Sequence, residues 1–223
     1  MTSRVRAVLL ALSLLATAAT SLPAQLTTPP DWKWVLDGPA RWIASGDVAD
    51  SAWTFVAMPP GWHLTTGPGA FVYHPAYAGR DQFSVEAEAF LFPGRSDDGW
   101  GIFFGGAALE RPETRSYTAV LVRHDGAVTV ISQRDGRSAT HRAWQVASQA
   151  RAQRGDSTAR NAIRADVTRD SVTVRVNGER LAAFDRSLLP VDGTLGFRLG
   201  RSVNLHVIRL DVTYRLAPVP TKR

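Results

Sequence analysis

The chain has 223 residues, 44% of them hydrophobic and 21% charged, with a formal net charge of +6 and no cysteine. Seven Trp, nine Phe and four Tyr supply the core of an ordinary domain, which excludes a disordered chain, and no apolar run beyond residue 25 is long enough to span a bilayer. The lack of cysteine excludes disulfides, thiolate nucleophiles, Cys-ligated zinc and a lipid-anchored bacterial N-terminus.

Residues 1–24 read as a secretory signal peptide. Arg4 and Arg6 form a positive start, Ala7 to Ala16 is a short apolar stretch, and Ala16-Thr17-Ala18 and Leu22-Pro23-Ala24 are two candidate cleavage sites. The expected destination is therefore the periplasm or the medium. Residues 25–50, with Trp32, Trp34 and Trp42 among Thr, Pro and Gly, read as an arm that packs on the domain and supplies an edge strand.

Residues 51–216 alternate with period two, the pattern of half-buried strands. Phe83, Val85, Ala87, Ala89 and Leu91 take one side of a strand and Ser84, Glu86, Glu88 and Phe90 the other; Ile163 to Thr168 and Val172 to Asn177 behave alike. Asp125-Gly126 and Asn177-Gly178 suit two-residue hairpin loops. Thr66-Gly67-Pro68-Gly69 predicts a third hairpin, placing Trp62 opposite Tyr73 and Leu64 opposite Phe71. Gln145 to Arg154 reads as a loop or a single helical segment, and Pro218 and Pro220 mark a tail over 217–223. Many strands without alternating helices imply an all-β, antiparallel two-sheet jelly-roll sandwich.

The run Val176-Asn177-Gly178, Leu181 to Phe184, Gly193 to Arg198 and a closing strand from Val203 resembles the end of a concanavalin A-like lectin/glucanase domain. It is similar in particular to the secreted bacterial 3-keto-disaccharide hydrolase-like branch and to laminin-G-like modules. Gly99 to Phe104 and Tyr117 to Arg123 occupy the places of that family's central strands. The resemblance implies a concave sheet face that often holds sugar. It implies no catalysis: the Glu-x-Asp-x-x-Glu pattern of laminarinase-type glucanases is absent, and Glu86-Ala87-Glu88 is the nearest match.

Glu86 and Glu88 project from one side of a strand, ~6.5 to 7 Å apart, a spacing compatible with two-carboxylate glycoside chemistry. Alternation alone explains them as outward-facing acids, which is the preferred reading. Asp97-Asp98-Gly99 falls far short of the oxygens that calcium requires, so a turn is preferred and a structural calcium is unsupported. The histidines show no metal-binding spacing, and no Gly-x-Ser-x-Gly elbow or phosphate loop occurs. Only Lys33 and Lys222 are lysines and the arginines lie scattered among acids, which argues against nucleic acid as a partner.

Aromatic residues are the remaining lead, because sugar rings stack their C–H faces on them while polar neighbours bind the hydroxyls. Trp62, Tyr73, Trp100 and Tyr117, with His63, His74, Arg123, Asn204 and His206, form the predicted ligand-binding set, and Trp100 and Tyr117 are expected at a groove rim. The partner expected is carbohydrate or a glycosylated surface. A glycoside hydrolase of the 3-keto-disaccharide hydrolase-like type and a structural or partner-binding module of the cell envelope stay open as alternatives.

Overall fold

A computed structural model describes residues 27–42, 52–94 and 96–215. The predicted signal segment with its cleavage sites, part of the arm and the tail lie outside the described residues. The strands are β1 (Lys33–Leu36), β2 (Arg41–Trp42), β3 (Ala52–Ala57), β4 (Trp62–Thr66), β5 (Ala70–Gly79), β6 (Phe83–Leu91), β7 (Trp100–Ala107) and β8 (Ser116–Val122). They continue with β9 (Ala127–Arg134), β10 (Arg137–Val146), β11 (Ala159–Val167), β12 (Ser171–Val176), β13 (Glu179–Asp185), β14 (Gly193–Leu199) and β15 (Asn204–Tyr214). One 3-10 turn, Arg186–Leu188, precedes β14.

Two sheets face each other. The first runs β1-β5-β14-β7-β8-β9-β10 and the second β13-β12-β11-β6-β15-β4-β3-β2, antiparallel throughout except for the short β2–β3 pair. The alternation read in the sequence decides the packing. Phe83, Val85, Ala87 and Ala89 of β6 turn into the core, as do Val172, Val174 and Val176 of β12, and meet Ile102, Phe104, Val120 and Phe197 from the first sheet. The arm supplies an edge strand to each sheet, β1 beside β5 and β2 beside β3.

Three turns differ from expectation. Thr66 to Gly69 does not close a hairpin: β4 pairs with β3 and β15, while β5 pairs with β1 and β14. The chain crosses from one sheet to the other there, held by Thr66 Oγ1 donating to the Gly200 carbonyl at 2.8 Å and by Ser202 N–H donating to Gly67. Trp62 therefore lies opposite Val207 rather than Tyr73. At Asp125-Gly126 the loop is longer than two residues, and only Gly126 takes a positive φ, of 78°. Asp135 and Gly136, both at positive φ, make a tight β9–β10 hairpin that the sequence reading passed over, whereas Asn177-Gly178 forms the expected one. Of the stretch from Gln145 to Arg154 expected as loop or helix, Gln145 and Val146 end β10 and residues 147–154 form a loop, tied to the β8–β9 turn by Ala147 N–H on Gly126 and Gln153 N–H on His124.

Candidate functional site

Because Val72, Phe197, Ile102, Val120 and Val130 of the first sheet enter the core, the residues alternating with them face outward. Two rows cross this outer face. One runs Phe71, Arg198, Gly101, Leu121, Thr129; the next runs Tyr73, Gly196, Phe103, Ala119, Ile131. Both glycines are sterically required. A Cβ on Gly101 would stand 1.8 Å from the Val120 carbonyl oxygen, and one on Gly196 would stand 2.3 Å from that of Val72.

The floor left by these small residues is filled by aromatic rings. Phe71 meets Phe103 edge to face at 5.1 Å and Tyr117 at 4.8 Å, making a second apolar cluster separate from the core. Two guanidinium groups cap it, Arg198 at 4.3 Å and Arg115 at 5.4 Å from the Phe71 ring. Asp37, in the turn after β1, reaches over both. One carboxylate oxygen accepts from Arg198 Nη2 at 2.5 Å and the other lies 3.7 Å from Arg115 Nη1.

Beside this cap lies a groove of about 490 Å³, lined by Asp37 and Arg198 at one side, by Leu121 and Ile131 on the floor, and by Trp144 of β10 as a wall. The Arg123 guanidinium rests 5.0 Å from the Trp144 ring and is held by a two-pronged contact to Asp125. That hydrogen bond keeps the Asp125 carboxyl below its ordinary range, against the opposing effect of burial. Asp98, also on the groove, accepts from Arg201 Nε at 3.0 Å. A larger hollow of about 710 Å³ near Arg134, Arg186 and Asp192 carries no aromatic side chain. The groove offers an apolar surface flanked by fixed donors and acceptors, the combination that orients a small polar ligand.

The residues singled out in the sequence divide among three places. Tyr73, Tyr117 and Arg123 come to the outer face of the first sheet, although Tyr117 is nearly buried by Phe71. Trp100, expected at a groove rim, is instead fully buried between the sheets; it shares the inward side of β7 with Ile102 and Phe104. Trp62 also turns inward, against Trp32 and Phe197, and His74 packs at 4.9 Å on Tyr77. His63, Asn204 and His206 lie on β4 and β15 in the second sheet, with His63 directly opposite His206 and their rings 6.4 Å apart. Burial, and secondarily the neighbouring His206, lowers the His63 pKa. These three residues do not join the groove.

Glu86 and Glu88 occupy the outer face of the second sheet. Arg209 donates to both, at 2.5 and 2.9 Å, Arg160 also holds Glu88, and Arg164 bridges Glu86 to Asp166. Burial alone would raise the Glu88 pKa; hydrogen bonds from Arg209 and Arg160 outweigh it and hold the group lower than usual. A carboxylate kept ionised in this way is unsuited to donating a proton. Trp144 and Asp37 were not singled out in the sequence. The signals that could have found them were the Asp135-Gly136 hairpin, which makes β10 a strand, and the edge strand β1, which carries Asp37 to the groove.

Neither a protein-family model nor a curated protein sequence matches the chain. Among solved structures, it is similar to a carbohydrate-binding module, CBM66, from Bacillus subtilis, with TM-score 0.56 and 11% identity over 79% of this chain and 100% of that one. It is also similar to a GH16 protein of a Bacteroides ovatus mixed-linkage glucan locus, solved with a G4G4G3G product, with TM-score 0.53 and 7% identity over 84% of this chain and 96% of that one. The chain therefore has the concanavalin A-like lectin/glucanase fold.

Proposed function

We propose that the protein is a secreted or periplasmic carbohydrate-binding module that takes saccharide in the groove on the outer face of the first sheet. The observation that carries this reading is the groove itself: Trp144 and the Leu121–Ile131 floor offer apolar surface to a sugar ring, while Asp37, Arg198 and Asp98 stand where hydroxyls need partners. The likeness in fold to a module described as carbohydrate-binding supports it. Glu86 and Glu88, the carboxylates nearest to a hydrolytic pair in the sequence, sit on the other sheet in a web of arginines. A glycan array run beside a reducing-sugar release assay tests the proposal. Retention of saccharide without release is expected; release from a retained glycan would make the protein a glycoside-acting enzyme, and no retention on any glycan would remove the carbohydrate reading.

A further inference from the structure

Trp144 is the aromatic wall of the groove, yet it is carried by β10, a polar and largely exposed edge strand. A side chain so placed is free to turn about its two torsions unless something outside the strand holds it. Two contacts do so. The Arg123 guanidinium lies over the ring, 5.0 Å from its centre, and one edge of the ring abuts Gly99, where a Cβ would come within 3.2 Å of it. Leu121 and Arg123 share the outward side of β8 and its extension, two positions and ~6.5 to 7 Å apart, but only Leu121 lines the groove. The cation therefore backs the ring and leaves its groove-facing side open.

Arg123 is itself fixed. Its Nε and Nη2 donate to the two carboxylate oxygens of Asp125 at 3.1 and 2.5 Å, and the first of those oxygens also accepts from the Ala127 N–H at 2.9 Å. The turn that carries both residues is anchored on either side. Gln153 N–H donates to the His124 carbonyl, and the His124 ring pairs through Nδ1 with the Ser96 carbonyl oxygen at 3.1 Å.

We infer that Arg123 is a positioning residue: braced by Asp125, it locks the plane of Trp144, so that the ring meets a saccharide already ordered. The inference rests on the groove being a saccharide site and changes the part that Arg123 plays there, from a group that binds hydroxyls to one that acts through Trp144. A wall ordered in advance spares the complex the loss of side-chain freedom on binding.

The first arm of the test needs no saccharide. The full chain has seven Trp; labelled with 5-fluorotryptophan, it gives fluorine resonances among which Trp144→Phe identifies the line of Trp144. Arg123→Gln should broaden or split that line alone and leave the thermal midpoint nearly unchanged, because the ion pair is partly exposed. An unmoved Trp144 line overturns the inference, and so does a shift of every line with a fall in midpoint, the mark of a purely structural residue. The second arm is calorimetric titration of the wild type, Arg123→Gln, Trp144→Ala and the double variant with the oligosaccharide that the glycan array retains best. Arg123→Gln should weaken binding about two- to tenfold in the wild-type background, the cost of ordering one side chain, and not at all once Trp144 is gone. Equal weakening in both backgrounds would place Arg123 on the saccharide itself and overturn the inference. Should Arg123→Gln fail to fold, Asp125→Asn, which keeps the shape of the brace without its charge, replaces it in both arms. Retention of no saccharide on the array removes the groove reading, and the fluorine arm still decides whether Arg123 orders the ring.

Discussion

Trp100 and Trp144 lie on opposite sides of the first sheet, and truncation should separate them cleanly. Trp100→Ala empties a fully buried site between the sheets and should cost about 3 to 5 kcal/mol of folding stability, seen as a large drop in thermal midpoint. Trp144→Ala removes a half-buried wall of the groove and should leave the midpoint nearly unchanged while weakening saccharide binding by about 1 to 3 kcal/mol. Comparable losses of affinity per folded molecule in both variants would contradict this assignment. The sequence placed Trp100, Ile102 and Phe104 on one side of a strand correctly, yet it could not say which side. Both sides of β7 are apolar or glycine and both are buried, so alternation, which works where one face is wet, carries no sign there. Tyr117 does share the outward side with Leu121 and with Arg123 on the strand's extension, as alternation indicates, but Phe71 covers it, so it is buried and does not form the groove rim expected of it.

Among elements, four adjacent strands of the second sheet, β12, β11, β6 and β15, are laced on their outer face by Glu86, Glu88, Asp166 and the arginines 160, 164, 175 and 209. Burial works to raise the pKa values of Glu88 and Asp166, and guanidinium hydrogen bonds outweigh it and lower both. The sign of the linkage follows. These carboxylates stabilise the fold fully above their unfolded values, about pH 4, and the contribution fades as pH falls through the still lower folded values. Thermal midpoints should therefore decline below about pH 4, and Glu88→Gln should flatten that acid limb while costing about 1 kcal/mol at pH 7, a modest figure because the partner arginines are partly solvated. An acid limb of unchanged steepness in the variant would refute the role. In the first sheet, Gly101→Ala should destabilise by more than about 1 kcal/mol, because the new methyl group meets the Val120 carbonyl. Most of the second sheet was legible, since its strands have one dry and one wet face. Strand β10 was not: its sequence, Arg137 to Val146, is polar and largely exposed at a sheet edge, so periodicity could not reveal it and only the Asp135-Gly136 turn could.

At the scale of the molecule, the arm joins the two sheets. Trp32 stacks on Phe197 of the first sheet at 5.6 Å and meets Phe55 and Trp62 of the second at 5.4 and 5.1 Å, while Trp34 on β1 touches Trp53 on β3 at 4.5 Å. The same segment then places Asp37 over the groove. Trp32→Ala should cost about 2 to 4 kcal/mol of stability and, by loosening the Asp37 turn, weaken ligand binding as well; urea unfolding with and without saccharide measures both, and a loss of neither would show the arm to be an ornament of the fold. The sandwich was legible because it follows from local periodicity, whereas the edge strand expected from the arm rested on its tryptophans among Thr, Pro and Gly, a segment without periodicity. The sequence could not foretell the groove, which is assembled from residues as far apart as Asp37, Trp144 and Arg198 and depends on which sheet each strand joins. Among the described residues no helix is long and apolar enough to cross a membrane.

The central claim is the location of the site, and its most direct test is a nuclear magnetic resonance titration of 15N-labelled protein with the saccharide retained best on the array. The account predicts shift changes concentrated at the backbone amides of Leu121, Thr129 and Ile131 and at the Trp144 indole N–H, all on the groove. Changes centred instead on His63, Asn204 and His206 in the second sheet would contradict it.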